Sequence, residues 1–278
     1  MSASRNCRLC RPTLMMKPAI LTLTLFVFAV TAQTITSPSP LYEAAMLLEK
    51  RYHKVVTYEE PLSVWRGELI VKGRDPDGPF GLWLRDRRFV IPDAVNSQRT
   101  PELDLAVLSG ITVAYNFQNA DGTLFRATAS RLGLHILPLK MRDAKGNLVR
   151  AASLLDAYIS VPSALRMPSE HVQTLCDAVA ASTGVSLKFN YQWLDMVFAA
   201  KGLRPPKAAA QLLSPKEKEK FSIVWGAEDV TAREALLSLT DLSAAKLTWY
   251  LLCQPSAKPE NRFCVFNMDA KVVGKDGR

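Results

Sequence analysis

The stretch "TAREALLSLTDLSAAKLTWYLL", Thr231 to Leu252, decides the fold of this chain. Thr231 followed three residues later by Glu234 predicts a capping box at the start of a helix. Three leucines then recur along one side of that helix: Leu236, Leu239 and Leu242. The apolar run "KLTWYLLC" that follows is typical of a strand. A short amphipathic helix that leads directly into a strand buries its apolar side on a sheet, so the stretch predicts an α+β layer.

The next strand predicts how this one is paired. Folding the chain back at Lys258-Pro259 places Cys253 opposite Cys264, and it also aligns two apolar pairs on the same side: Leu251 with Phe266 and Trp249 with Met268. Opposed cysteines are not always suited to a bond, so a cross-strand disulfide and two buried thiols are both open. Cys176, on the apolar face of another predicted helix, is expected to be a buried free thiol.

The same order of elements occurs twice along the chain. Each half is predicted to run helix, strand, long excursion, strand, helix and two strands. The fold class is therefore predicted as α+β, with two related two-layer modules whose helices pack on small mixed or antiparallel sheets. Sequence identity between the halves is low, so an internal duplication and two independent inventions of one pattern both stay open. The predicted modules are residues 41–142 and 168–270, joined by a connecting hairpin and strand at 143–167.

The segments before the first module and after the second are predicted to be poorly ordered. Residues 33–40, rich in Ser, Thr and Pro, are expected to form a disordered leader, and residues 271–278 a disordered tail.

Within the first module, residues 63–100 are predicted to be mostly irregular, with "RRFVIP" as the strand-like piece. The helix near "LAVLSGITVAYNF" is predicted to bury a stripe of four side chains: Leu105, Leu108, Val113 and Phe117.

The N-terminus has the pattern of a secretory signal peptide. Four basic residues come first, and "PAILTLTLFVFAV" follows as an uncharged run of thirteen residues. Small residues at Val30 and Ala32 predict cleavage after Ala32, so residues 1–32 are interpreted as a leader. The run is shorter than the ~20 residues that a transmembrane helix needs, which disfavours an uncleaved anchor. The chain is therefore expected to be exported to the periplasm or the extracellular space, with no membrane span after cleavage.

Composition argues against nucleic acid as a partner. The formal net charge of +9 falls to +5 without the four basic residues of the leader, and basic and acidic residues are interspersed. A mixed surface of this kind is typical of a solvated exported protein.

The second half resembles a known module. "HVQTLCDAVAASTGVSLKFN", "FSIVW" and "EDVTAREALLSLTDLSAAKLTWYLL" are similar to the short N-terminal (STN) module of secretins and TonB-dependent receptors. Residues 34 to 270 also resemble a group of uncharacterised exported bacterial proteins, through "LEKRYHKVVTYEEPLSVWRGEL" and the closing strand pair. The resemblance implies a location and a fold more than an activity. No pore or receptor barrel is expected from the residues given, and the excursions are longer than the short module needs.

Catalytic and metal signatures are weak in this sequence. The three histidines, His53, His135 and His171, have no metal-ligand spacing, so no metal and no cofactor is predicted. Glu59 and Glu60 form the best local acidic pair. Adjacent strand residues point to opposite faces, so the two carboxylates are not expected to converge, and one of them is expected to be exposed at a strand end.

Recognition is predicted to lie in the long excursions at 63–100 and 193–220. The candidate binding residues are an arginine cluster and three tryptophans: Arg85, Arg87, Arg88, Trp65, Trp83 and Trp193. The arginines suggest an envelope protein or an anionic envelope component as partner, but a solvated loop is the preferred interpretation because charge runs usually face water. Core packing explains the tryptophans as well as binding does. The sequence therefore favours a non-enzymatic binding or interaction module of the bacterial envelope, with an envelope hydrolase of unrecognised site as the alternative. The oligomeric state is open.

Overall fold

The structure is a computed structural model that describes residues 33–72, 81–92, 102–189, 219, 222–242, 246–255 and 262–271. The predicted signal peptide, the candidate Trp193 and residues 272–278 of the predicted tail lie outside the described residues. In the described part, no helix is long and apolar enough to cross a membrane.

Four α-helices and thirteen strands are found in the described part of the chain. The helices are α1 (Pro40–Tyr52), α2 (Leu105–Gln118), α3 (Pro168–Thr183) and α4 (Ala232–Leu242). The strands of the first half are β1 (Thr34–Ser37), β2 (Val56–Glu59), β3 (Leu69–Val71), β4 (Leu82–Leu84), β5 (Arg87–Val90), β6 (Leu124–Ala129), β7 (Leu134–Arg142) and β8 (Leu148–Arg150). The remaining strands are β9 (Tyr158–Arg166), β10 (Ser186–Phe189), β11 (Ile223–Thr231), β12 (Lys246–Gln254) and β13 (Phe263–Lys271). The predicted α+β class is confirmed.

Strands from both predicted modules lie in one mixed seven-stranded sheet. Its order is β10-β13-β12-β2-β7-β6, with β8 paired to β7. The junction is the parallel pair β12 and β2, where Tyr250 lies beside Tyr58 and Leu251 beside Glu59. The two predicted modules therefore share a continuous sheet.

The two halves use the same set of strand pairings. The strand after the first helix pairs in parallel with the second strand of the hairpin in its half, β2 with β7 and β10 with β13, and the hairpins β6–β7 and β12–β13 are antiparallel. The strand before each first helix pairs antiparallel with the strand before the second helix, β1 with β5 and β9 with β11. An internal duplication would produce this correspondence, and it stays a prediction beside two independent inventions of one pattern.

The shared sheet carries one hydrophobic core on each face. On β12, Trp249 and Leu251 belong to the core under α3 and α4, whereas Tyr250 belongs to the core under α1 and α2. Side chains alternate along a strand, so these two cores lie on opposite faces of the sheet. β2 alternates in the same way, because Val56 and Tyr58 face the α1–α2 core.

The closing hairpin has the predicted register. Cys253 pairs with Cys264, Leu251 with Phe266 and Trp249 with Met268, and all six are buried in one core. Cys253 and Cys264 form a disulfide, and Cys176 is a buried free thiol. The predicted capping box is also present, because Thr231 N–H donates to Glu234 and Glu234 N–H donates to the Thr231 hydroxyl.

Three predictions about the first half are wrong. Residues 33–40 are not a disordered leader, because Thr34–Ser37 forms β1 on β5 and α1 begins at Pro40. Residues 63–100 are less irregular than predicted, since β3, β4 and β5 lie within them. The buried face of α2 is formed by Leu108, Ile111, Thr112 and Tyr115, whereas Val113 and Phe117 are 65% and 86% exposed.

Candidate functional site

A groove of about 350 Å³ lies where the N-terminus of α1, strand β4 and the β12–β13 hairpin meet. We call it the Glu60 groove. It lies on the face of the hairpin opposite the disulfide-side core. Its lining comprises three aromatic rings, two side-chain amides, one carboxyl group and small or aliphatic residues: Tyr42, Trp83, Phe263, Gln254, Asn267, Glu60, Pro38, Ser39, Leu84, Leu252, Cys253, Pro255 and Val265. A concave, mostly apolar site with a few converging polar groups is typical of ligand binding.

Glu60 supplies the carboxyl group of the groove. It directly follows β2 and is only 6% exposed. Ser39 Oγ donates to its Oε1 at 2.6 Å, and the Cys253 backbone N–H donates to its Oε2 at 2.6 Å. Among the described residues, no lysine, arginine or histidine forms an ion pair with it. Glu60 is therefore a buried acid with two neutral donors and no counter-charge in that part of the chain.

The Ser39 side chain does not cap the helix that it precedes. It occupies the N-cap position of α1, where a serine hydroxyl normally accepts from the helix backbone, yet it makes no such capping bond. Its hydroxyl donates to Glu60 instead. Forgoing a cap costs on the order of 1 kcal/mol, so the local structure favours the bond to the carboxylate over the stability of the helix.

Burial raises the pKa of Glu60 to about 7, although the bonds from Ser39 and Cys253 oppose the shift. Desolvation disfavours the charged form of an acid, which is why the carboxyl holds its proton to a higher pH than usual. Near neutral pH, Glu60 exists in both protonation states. It can donate or accept a hydrogen bond, and it can acquire a full negative charge when a cation approaches.

A smaller cavity of about 30 Å³ adjoins the groove and shares Ser39, Glu60 and Leu84 with it. We call it the Glu68 cavity. Burial raises the pKa of Glu68, whereas the neighbouring Arg87 opposes that rise. Arg87 Nη2 lies 3.1 Å from Glu68 Oε1, and Glu68 also accepts from the Thr123 backbone N–H at 2.5 Å. The space holds about one or two waters, so Glu60 and Glu68 cannot bracket a substrate there.

Glu59 faces the other side of the sheet. Its carboxylate accepts from Arg233 Nε at 2.9 Å and Nη2 at 2.5 Å, and from Ser153 Oγ at 2.6 Å. The divergence of Glu59 and Glu60 is as predicted. The prediction that one of them is exposed is wrong, because Glu59 is fully buried and Glu60 nearly so. Burial is possible because hydrogen bonds satisfy each carboxylate: Arg233 and Ser153 donate to Glu59, and Ser39 and the Cys253 N–H donate to Glu60.

The histidines occupy structural positions. His135 is buried between Thr57 Oγ1, 2.8 Å from Nδ1, and Ser130 Oγ, 2.6 Å from Nε2. Burial lowers its pKa to about 4, so the ring is neutral at neutral pH. His171 Nε2 lies 3.0 Å from the Ile223 carbonyl, and His53 ends α1 with a left-handed backbone. Among the described residues, no group of three potential ligands is placed to hold a metal ion.

The structure does not bring the predicted binding residues together in one site. Trp83 lines the Glu60 groove. Arg87 lines the Glu68 cavity, where Glu68 and Asp121 engage it and leave its side chain 12% exposed, so it is not a surface contact. Arg85 and Arg88 are exposed. Trp65 is half-buried beneath the Arg142 guanidinium, 5.8 Å from the ring centre.

Sequence reasoning missed most of the groove. The sequence prediction places Ser39 in the leader and Tyr42 in the first module, and it does not identify the side of β12 that carries Leu252 and Gln254 as part of a site. The available signal was the alternation of the hairpin: Leu252, Gln254, Phe263, Val265 and Asn267 all lie on the side opposite the cysteines.

Comparison with known proteins adds no relative. No family model, no curated protein and no solved structure matches the chain.

Proposed function

We propose that this protein is an exported, non-enzymatic binding protein of the bacterial envelope that holds its ligand in the Glu60 groove. The observation that carries the proposal is a groove of about 350 Å³ with aromatic walls and one buried carboxyl group. The volume lies within the usual range of small-molecule sites, and the mixture of rings, amides and one ionisable group suits selective recognition.

Two further features support the export part of the proposal. The first 32 residues have the signal-peptide pattern, and the Cys253–Cys264 disulfide is of a kind that persists in oxidising compartments. Cell fractionation followed by N-terminal sequencing tests this part. We expect the protein in the periplasmic or extracellular fraction with Gln33 as its first residue, and a cytoplasmic protein that retains Met1 would contradict it.

The test of the binding site is a ligand-observed NMR screen of a chemically diverse fragment library. Trp83→Ala removes one wall of the groove. Leu148→Ala is the matched control, because Leu148 is an exposed apolar side chain that does not line the groove. We expect hits that bind wild type and the control and lose affinity for Trp83→Ala. Hits unaffected by Trp83→Ala, or no hits at all, would contradict the groove as the binding site.

An anionic envelope partner is a separate part of the proposal, supported by the exposed Arg85 and Arg88. Substituting both by Ala and repeating crosslinking in the native envelope tests it. We expect a crosslinked partner of the wild type to be lost, and an unchanged crosslinking pattern would count against the arginines.

The alternative is an envelope hydrolase with Glu60 as the proton donor, which the pKa of about 7 favours. The groove itself presents only this carboxyl group among its described lining residues, and Glu68 is engaged by Arg87 and Thr123. Incubation of the protein with isolated cell-wall material separates the alternatives. We expect no soluble fragments, whereas release by wild type that is lost in Glu60→Gln would favour the hydrolase.

A further inference from the structure

We propose that the ligand of the Glu60 groove is an organic cation whose ammonium group pairs with Glu60. This inference rests on the proposed binding function and names the chemical class of the ligand. It starts from the charge of the site: Glu60 is the one formally charged side chain among the described residues that line the groove. The single charge among these lining residues is therefore negative when Glu60 is ionised.

The bonds of Glu60 prepare it for a cation. Both its partners, the Ser39 hydroxyl and the Cys253 N–H, are donors that stabilise a carboxylate. They bring no positive charge, so the carboxylate is oriented but not neutralised. A buried carboxylate of this kind gains strongly from a charged donor, because charge-assisted bonds are about twice as strong as neutral ones. The Ser39 hydroxyl and the Cys253 N–H then remain to hold the carboxylate in place.

The walls suit the rest of such a ligand. Tyr42, Trp83 and Phe263 line the same groove as the carboxyl group, so the apolar part of an organic cation meets aromatic rings while its ammonium group pairs with Glu60. Lys72 Nζ lies 5.2 Å from the Trp83 ring centre and Lys188 Nζ lies 4.8 Å from that of Phe263. Neither lysine forms an ion pair with Glu60 in the described part of the chain. Because the two lysines add positive charge beside two of the rings, the preference for an ammonium group is expected to come from Glu60, and the rings are expected to contact the apolar part of the ligand.

The charged and titratable groups behind Glu60 do not change the sign of the site. The Glu68 cavity contributes Glu68, Arg87, Tyr58 and Tyr115. Arg87 is bonded to Glu68 and Asp121, so its charge is already compensated. Burial raises the pKa of both tyrosines, which keeps them neutral. An anionic ligand would have to approach Glu60 without a free counter-charge from these residues.

A charge series with one ring and one chain length tests the inference. The probes are phenethylammonium, phenethyl alcohol and phenylacetate, titrated against the wild-type chain while the Trp83 indole N–H signal is followed by NMR. We expect phenethylammonium to bind about tenfold more tightly than the alcohol and phenylacetate to bind most weakly. Glu60→Gln should remove the preference for the cation, and its melting temperature reports whether it folds.

The wild-type chain alone provides a second measurement. Ammonium affinity should increase several-fold between pH 5.5 and pH 8 as Glu60 loses its proton, whereas affinity for the alcohol should stay constant. Equal binding of the alcohol, tighter binding of phenylacetate, or a cation preference that survives Glu60→Gln would overturn the inference. If the fragment screen finds groove ligands that are neutral or anionic, the cation proposal fails and the binding function stands. If the screen finds no ligand that depends on Trp83 and the titration does not move the Trp83 signal, both fail.

Discussion

Arg233 donates from Nε and Nη2 to the two carboxylate oxygens of Glu59, across 174 positions of the sequence. Glu59 ends β2 in the first half, and Arg233 lies in the first turn of α4 in the second half. Ser153 adds a bond to the same carboxylate, and Asp156 accepts from Arg233 Nη1 at 2.6 Å. Burial acts to lower the pKa of Arg233, but Glu59 and Asp156 outweigh it and raise that pKa. The pair therefore connects the two halves beside their shared strand junction.

Arg233→Ala should lower the free energy of unfolding by about 3–5 kcal/mol, because it leaves the buried Glu59 carboxylate without a cation. Urea unfolding followed by tryptophan fluorescence measures the change. Arg166→Ala is the matched control, since Arg166 is an exposed arginine that donates to Thr174. The control should change stability by less than about 1 kcal/mol. Equal losses in the two variants would contradict the role of the pair.

Glu60 should make the protein less stable as the pH rises. Its folded pKa of about 7 lies above the ordinary value of 4.5, so between these values the folded chain keeps a proton that the unfolded chain has lost. We therefore expect the free energy of unfolding of wild type, relative to that of Glu60→Gln, to fall by up to ~3 kcal/mol between pH 4.5 and pH 7.5. Above that pH the difference should level off. Urea unfolding at several pH values measures it. A difference that stays constant with pH would contradict a buried, uncompensated carboxyl group.

His135 should produce the opposite trend in acid. Its folded pKa of about 4 lies below the ordinary value of 6.5, so the unfolded chain takes up a proton first as the pH falls. The stability contributed by the neutral ring is present above pH 6.5 and is lost as the pH falls towards 4. His135→Gln should remove this part of the acid loss, measured as a wild-type minus variant difference. His53, which is exposed, provides the control variant His53→Gln.

The disulfide should stabilise the closing hairpin and the groove that it borders. Replacing Cys253 and Cys264 by Ala should cost about 2–3 kcal/mol, as expected for a bond that closes a loop of 11 residues. A reductant should lower the melting temperature of the wild type towards that of the double variant and leave the double variant unchanged. Cys176→Ala should keep the response to reductant, because Cys176 is not in the bond. A wild type that does not respond to reductant under unfolding conditions would contradict the assignment.

The elements that were predicted from sequence are those whose signals are local. The β12–β13 register follows from alternation on both sides of a turn, and the start of α4 follows from Thr231 and Glu234. The buried face of α2 was not predictable in this way. Its sequence is apolar on every side, so only the packing against β5, β6 and β7 selects Leu108 and Ile111 over Val113 and Phe117.

The site depends on contacts that no local pattern encodes. The Glu60 groove depends on the pairing of β1 with β5, in which Ile35 lies opposite Phe89 although the two residues are far apart in the sequence. This pairing precedes the start of α1, where Ser39 bonds to Glu60 at the end of β2. The groove also needs β12 to pair with β2, which brings the Cys253 N–H to the same carboxylate. The sequence identified Glu60 as part of an acidic pair and Trp83 as an aromatic in a loop. It did not indicate that the two line one groove.

The most direct test of the account is a crystal structure of the wild-type protein grown with phenethylammonium near pH 8. We expect the ammonium nitrogen within about 3 Å of a Glu60 carboxylate oxygen and the phenyl ring between the aromatic walls of the groove. Glu60 should keep its bonds from Ser39 and from the Cys253 N–H. A ligand bound elsewhere, or one in the groove with its nitrogen turned away from Glu60, would contradict the account.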